Sequence, residues 1–377
     1  MTSLVPARHV YVHVPFCARR CSYCDFAIAV RRTVPVAEYG DALRGELAIR
    51  FDDAPEAAHA LDTVYLGGGT PSRLGGDGIA NALDAVRERF PLAPGAEVTI
   101  EANPDDVTPN AARAWRDAGV NRISLGSQSF DPEVLRWMHR THDVAQIGRA
   151  VDAVRGAGIA NVSLDLIFAV PTAMHRDWER DLGHALALEP AHLSLYGLTI
   201  EPGTPLGRWH ARGAVAEADE DRYADEFLRA HDAMGAAGFE HYEVSNFARP
   251  GLRSRHNSSY WRGVPYVGLG PAAHGFDGVT RRWNVASYVD WTRRVAERCD
   301  PRAGEEQLTP ADRIAEQVYL GLRTTDGLAL ERGEEARVGR WIDEGWATLD
   351  AGRLRLTAAG WLRLDALAAD LTVVRSL

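Results

Sequence analysis

Three cysteines crowd into eight residues near the N-terminus, Cys17, Cys21 and Cys24, within the stretch VHVPFCARRCSYCDF. Gaps of three and two residues let one folded loop aim all three sulfurs at a single centre, as iron–sulfur loops do. Three thiolates satisfy three irons of a 4Fe–4S cubane, and the fourth iron stays open to a small molecule carrying an amine and a carboxylate. The other reading is zinc, because His13 precedes Cys17 by four residues and completes a Cys3His set. Alternation along HVYVHVP places His13 beside Tyr11 on one strand face rather than in the loop, which favours the cluster. Cys299 stands alone and reads as a small residue at a helix end with no ligand role.

A loop of this kind needs a scaffold that brings distant groups to it. Runs rich in β-branched and aromatic residues predict strands near 9–14, 62–66, 97–101, 121–126, 161–167 and 192–197. Helical periodicity separates them at 36–51, 76–89, 109–118, 143–157 and 175–188, several opened by Thr, Asp or Pro. Repeated βα units with right-handed crossovers curl into a full or partial barrel. In such a barrel the C-terminal strand ends share one face, so Cys17, Gly68, Glu101, Gln128 and Asp165 converge, with Arg140 on the next helical segment. Gly67, Gly68 and Gly69 permit close backbone approach and expose peptide groups. Carboxylates and amides there suit hydroxyls and an ammonium, and Arg140 suits a carboxylate.

After Gly203 the rhythm changes: a helix is expected over about 217–237, then FEHYEVSNF, then an aperiodic, aromatic and Gly-rich lid or pocket segment from Arg255 to His274. Residues 301–306 (PRAGEE) read as a linker, and from Thr309 onward short helices and a small strand pair suggest a winged-helix-like tail. The expected architecture is α/β: a partial (β/α)6 TIM-like barrel with an irregular α+β extension over 1–300, its core about 8–205, and a small C-terminal domain over 301–377.

The bulk composition excludes several classes. A formal net charge of -10 with scattered arginines argues against nucleic-acid binding. No apolar run reaches the roughly 18 residues of a membrane span. The opening MTSLVPARHVYVHV lacks the pattern of a secretory signal, so a cytoplasmic location is expected. Four cysteines in 377 residues make no disulfide framework.

Cys-x3-Cys-x-aromatic-Cys after the first strand of a βα barrel resembles the radical S-adenosylmethionine (SAM) superfamily. The stretches YVHVPFC, IEANP, SLGSQSF and DLIFAVP are similar to its oxygen-independent coproporphyrinogen oxidase group, and the similarity runs over essentially the whole chain. That resemblance implies SAM on the open iron, with SAM contacts at Tyr11, Phe26, Gly68, Gly69, Thr70, Glu101, Gln128, Arg140 and Asp165. One departure is Ala169, where the group's pattern leads one to expect glycine.

Within the group two functions compete. The oxidases decarboxylate porphyrinogen propionates to vinyl groups with a SAM-derived radical, whereas the haem chaperones bind haem as cargo and pass it to acceptor proteins. The oxidase pattern carries a further cysteine two positions beyond the third, where this chain has Phe26. The segment HNSSYW matches the chaperones' His-Asn-x-x-Tyr-Trp signature, which makes His256, Asn257, Tyr260 and Trp261 the haem candidates. Their chemistry suits the role: an imidazole for iron, two rings for a flat macrocycle and an amide for a polar edge. The same residues also suit core packing beside a capping turn. His274, in YVGLGPAAHG, keeps an open role. The resemblance thus implies a haem carrier with haem-accepting partners, and an electron donor if SAM is cleaved. The oxidase is the enzymatic alternative, and an RNA-modifying radical enzyme fits the acidic charge poorly.

Overall fold

The computed structural model describes residues 7–52 and 59–376; the first six residues of the N-terminal stretch lie outside it. The β-branched runs form strands β1 (His9–Val14), β2 (Phe16–Cys17), β3 (Ala29–Val30), β4 (Leu61–Gly68), β5 (Leu92–Ala102), β6 (Arg122–Gln128), β7 (Asn161–Phe168) and β8 (His192–Gly197). Strands β1, β4, β5, β6, β7 and β8 are parallel neighbours in that order, with registers such as Val12↔Leu66 and Leu166↔Leu195. Helices Val36–Phe51, Gly75–Arg89, Pro109–Asp117, Val144–Gly156 and Trp178–Ala187 fill the crossovers. Thr108 and Asp143 cap the third and fourth through their side chains. The fifth starts at Trp178, not at 175 as its periodicity suggests, because Asp177 caps it and His175 turns left-handed at φ 49°.

The two faces of this sheet differ chemically. Outward positions such as Val10, Val12, Val64, Leu66, Ile100, Leu125, Leu164 and Leu193 are fully buried in the main hydrophobic core, each contributing about 1.5–3 kcal/mol of burial. The intervening residues are polar and bond to one another inside the barrel: His9 with Thr63, Tyr65 with Glu101, Ser124 with Asp165, Ser163 with His192. Strand alternation therefore builds a polar lumen and an apolar jacket from the same segments.

Strands β9 (Glu240–Glu243) and β10 (Asn246–Ala248) form the hairpin within FEHYEVSNF and extend the sheet antiparallel beyond β8. The segment from Arg255 to His274, expected to be irregular, is ordered. It forms helix Arg255–Trp261, then β11 (Val267–Leu269) parallel to β1, and leads into β12 (His274–Phe276). The nine-stranded order is β11-β1-β4-β5-β6-β7-β8-β10-β9. Its elements are too short for a period to show in the sequence.

A second correction concerns the expected linker at 301–306. Residues Arg302–Gln307 are strand β14, paired antiparallel with β13 (Thr280–Asn284), which pairs with β12. Register sets Arg281 opposite Glu306 and Arg282 opposite Glu305 on an exposed edge strand without apolar alternation, while the ion pairs of these arginines run to Glu316 and Asp300. Beyond it, helices Pro310–Arg323, Glu335–Asp343 and Leu364–Arg375 pack with the three-stranded sheet of β15 (Leu328–Ala329), β16 (Ala347–Asp350) and β17 (Arg353–Leu356). Arg323 ties this tail to the barrel through Glu243 at 2.8 Å and lies 4.2 Å over the Trp261 ring.

Ala169, at the end of β7, has φ 54°, the left-handed conformation that glycine adopts without cost. Its N–H donates to Glu226 Oε2 at 2.7 Å, and Arg176 holds that carboxylate at 2.6 Å. The surroundings thus impose the turn on an alanine. Ala169→Gly is expected to raise stability by about 1 kcal/mol, read as a higher urea midpoint with an unchanged slope; a lower midpoint would show that the methyl group matters more than the torsion.

Candidate functional site

The cysteine loop begins where β1 delivers the chain to the C-terminal face of the sheet. Cys17 sits on β2, paired with β3, and its Sγ lies 3.4 Å from Thr70 Oγ1. Ser22 N–H donates to Met138 O at 3.2 Å, and Leu206 N–H donates to Ser22 O at 2.8 Å, so the loop is stapled on both sides. Arg19 donates to the carbonyls of His139 and Arg140. Arg140 in turn reaches Cys21 Sγ at 3.4 Å, Asn103 Oδ1 at 2.6 Å and Gly126 O at 2.8 Å.

One cavity of about 440 Å³ opens here. Cys17, Cys21, Cys24, Phe26, Gly68, Gly69, Thr70, Glu101, Gln128, Arg140, Asp165 and Asn257 all line it. Tyr11 does not. It lies behind that wall, its hydroxyl 3.1 Å from His13 Nδ1 and its ring against Tyr65. Sequence reasoning passed over Tyr23, Asn103, Ser124, His139, Ser194 and Tyr196, which share the lining. Ser124, Ser194 and Tyr196 had a legible signal, since they alternate in phase with inward residues of their own strands.

Burial sets the charge states. The Glu101 carboxyl is pushed up to about 7 by burial and by the nearby Asp165, against the pull of the Tyr65 hydroxyl and the Gly68 N–H. Burial also raises Asp165, while Ser194, Ser124 and Arg122 pull it back. The Cys24 thiol is pushed up to about 11, chiefly by burial. A metal centre there displaces a proton from sulfur as it binds.

The glycines answer to the protein's own packing. Gly68 has φ 110°, and a Cβ there meets the His13 ring at 2.5 Å; one at Gly69 meets the Pro15 carbonyl carbon and oxygen at 2.6 Å. His13 itself is committed, with Nδ1 bonded to Tyr11 and Nε2 2.9 Å from Ala27 O, so it is not a fourth ligand beside the thiols. Among the described residues no three His, Cys, Asp or Glu side chains are spaced to hold a single metal ion. A wider group held by three thiols, with an arginine at Cys21 and open cavity beside it, fits this wall.

The HNSSYW residues divide. Asn257 faces the cavity, but His256 is fully buried, with Nδ1 2.6 Å from Thr63 Oγ1 and Nε2 2.8 Å from the Tyr260 hydroxyl. Its ring stacks on Tyr65 at 5.1 Å, and burial lowers it to about 3. Glu97 accepts the N–H groups of Arg255 and His256 and holds the helix start in the barrel. Trp261 packs under Arg323 with its indole N–H buried and without a hydrogen-bond partner among the described residues. The structure does not bring His256, Tyr260 and Trp261 to the cavity wall. His274 is exposed and stacks on Trp283.

Comparison with known proteins fits this geometry. The Radical SAM superfamily matches residues 11–185. A Mycobacterium tuberculosis protein named heme chaperone HemW is 40% identical over 370 residues, covering 95% of this chain and 93% of that protein. The chain belongs to the HemW family. The HemW protein of Escherichia coli K12 is also 40% identical, over 72% of this chain and 70% of its own length. A bovine mitochondrial relative, radical S-adenosyl methionine domain-containing protein 1, is 32% identical over 95% of this chain and 86% of its own. Among solved structures, the E. coli coproporphyrinogen III oxidase HemN superposes with a TM-score of 0.81 at 23% identity, over 99% of this chain and 92% of that one, and shares the fold. The expected partial radical SAM barrel is thus the observed architecture. Membership of this superfamily implies a 4Fe–4S cluster and SAM. No helix among the described residues is long and apolar enough to cross a membrane.

Proposed function

We propose that this chain carries haem to acceptor proteins and holds a 4Fe–4S cluster and SAM in the cavity beneath its cysteine loop. The observation that carries the cofactor reading is the meeting of all three thiols with eight of the nine expected SAM residues in one cavity. Cys17, Cys21 and Cys24 are the cluster ligands, positioned by Thr70, Arg140 and the Ser22 staples. Held there, a cluster would supply, with an electron donor, the reducing electron for a SAM sulfonium. Glu101 and Asp165 would face the N–H groups of an iron-bound amine and ribose hydroxyls, and Arg140 and Asn103 would offer donors and an acceptor to polar ends. Kinship with proteins named heme chaperones supports haem as cargo. So does Phe26, 58% exposed at the cavity wall where the oxidase pattern has cysteine.

The test is anaerobic reconstitution with iron and sulfide, then haem titration followed at the Soret band, with coproporphyrinogen added in a parallel assay. Stoichiometric haem uptake without vinyl products is expected. Vinyl products without specific uptake would make the chain an oxidase.

A further inference from the structure

Alternation along β6 puts an arginine inside the barrel. Arg122 opens the strand in phase with Ser124 and Gln128, which line the cavity, so it lies on the same inner face one layer beneath them. It is 1% exposed. Its Nε and Nη1 have no hydrogen-bond partner, and it enters no ion pair, among the described residues. Its register neighbours share the condition: Thr99 Oγ1 on β5 and Asn161 Oδ1 on β7 are buried without partners. A buried guanidinium left unpaired is costly to fold around. The other deeply buried arginines of this chain avoid that cost, Arg50 on Glu46 at 2.9 Å and Arg176 on Glu226 at 2.6 Å.

The lumenal carboxylates divide by what already holds them. Glu97 accepts the N–H groups of Arg255 and His256, and Glu243 holds Arg323 at 2.8 Å. In the layer above Arg122, Glu101 has only the Tyr65 hydroxyl and the Gly68 N–H, and Asp165 has serine hydroxyls, with Ser124 Oγ 3.0 Å from both its oxygens. Arg140 is committed to Cys21, Asn103 and Gly126. The other titratable groups around the pair are the phenols Tyr11, Tyr65, Tyr196 and Tyr260 and the imidazoles His192 and His256, all of which burial keeps neutral. Among the described residues Arg122 is therefore the buried cation left to offset two buried carboxylates.

From this arrangement we infer that Arg122 is a positioning residue for SAM, whose charge acts through space from beneath the cavity and keeps Glu101 and Asp165 ready as anions for the amine and the ribose hydroxyls. Because it bonds to neither, it favours both, and the effect is strong in a lumen poor in water. Both carboxyls feel Arg122 in the direction that favours ionisation, against their burial. The inference rests on the SAM reading proposed above.

The test reads the carboxyls directly, by infrared titration of protonated carboxyl groups in the full, cluster-reconstituted chain without SAM, with Glu101→Gln as the difference control. The Glu101 midpoint, near 7 in the wild type, is expected to rise by about one pH unit in Arg122→Gln and to stay in place in Arg122→Lys. Asn161→Asp changes shape little and gives Arg122 an adjacent carboxylate to pair with. It is expected to raise the midpoint with the arginine still present, and it keeps the test decisive where Arg122→Gln fails to fold. SAM affinity of Arg122→Gln is expected to fall about tenfold below neutrality and to match the wild type at high pH, whereas a purely structural role weakens binding equally at every pH. An unmoved midpoint in Arg122→Gln or Asn161→Asp overturns the assignment, as does a midpoint that the Lys and Gln variants shift alike or a loss of affinity that does not vary with pH. A wild type that binds no SAM overturns the SAM reading, and the infrared midpoints then still decide whether Arg122 governs the two carboxyls.

Discussion

Replacing His256 with alanine is expected to destabilise the fold by about 3–5 kcal/mol, the range for truncating a large buried ring whose polar partners lose their bonds. The imidazole is fully buried, bridges Thr63 on β4 to Tyr260 one helical turn away, and stacks on Tyr65. Truncation opens a cavity in the lumen and strands the Tyr260 hydroxyl, while Thr63 keeps its bond to His9. The pH response has a definite sign. Burial lowers this group from 6.5 to about 3, so folding requires the neutral ring. Its stabilising contribution is complete above about 6.5 and is lost progressively as pH falls toward 3. Urea denaturation at neutral pH measures the loss, and a change below about 1 kcal/mol would show that the lumen tolerates an empty site.

That expectation gives His256 the packing role its chemistry favours, in place of the haem role that the family resemblance implied, and the reason shows where sequence reading stops. An imidazole followed by Tyr and Trp at helical spacing suits a packed interior as well as a haem face. The decision lies in Thr63 and Glu97, which are distant in the chain and reach the segment only because β4 and β5 flank it. The six parallel strands were legible because each carries its own run of β-branched residues. The convergence of Cys17, Gly68, Glu101, Gln128 and Asp165 was legible because parallel strands must end on one face. Strand β14 was not, since RAGEEQ carries no apolar alternation and its partner β13 is supplied by another segment. His139 was hidden for a different reason: its place in the cavity lining comes with a left-handed turn whose carbonyl Arg19 holds, a long-range contact with no local signal.

The polar lumen that buries His256 also tunes the cofactor pocket, and Glu101 reports it. On the proposed function this carboxylate accepts an N–H of the SAM amine held at the open iron, near the cationic sulfonium, so its protonation state decides the affinity. Burial and Asp165 raise it to about 7 from 4.5, which leaves it largely neutral in mildly acidic solution. SAM affinity of the anaerobically reconstituted chain is therefore expected to rise with pH through about 7 and then level off. Glu101→Gln keeps the shape and the Gly68 contact but removes the charge. It is expected to flatten that profile and to weaken binding at high pH by about 1.5–3 kcal/mol, roughly tenfold to a hundredfold. The ligand-free chain has the opposite dependence. A carboxyl whose folded value lies above its unfolded one is destabilising once ionised, so stability falls as pH rises from 4.5 to about 7. An amine N–H and the cationic sulfonium of SAM bound beside the carboxylate relieve that cost, so SAM is expected to stabilise the wild type more at high pH than at low pH, and Glu101→Gln nearly equally at both. Calorimetric titration across this range, with wild type and variant in parallel, measures the profile; equal slopes in the two proteins would remove Glu101 from the amine site.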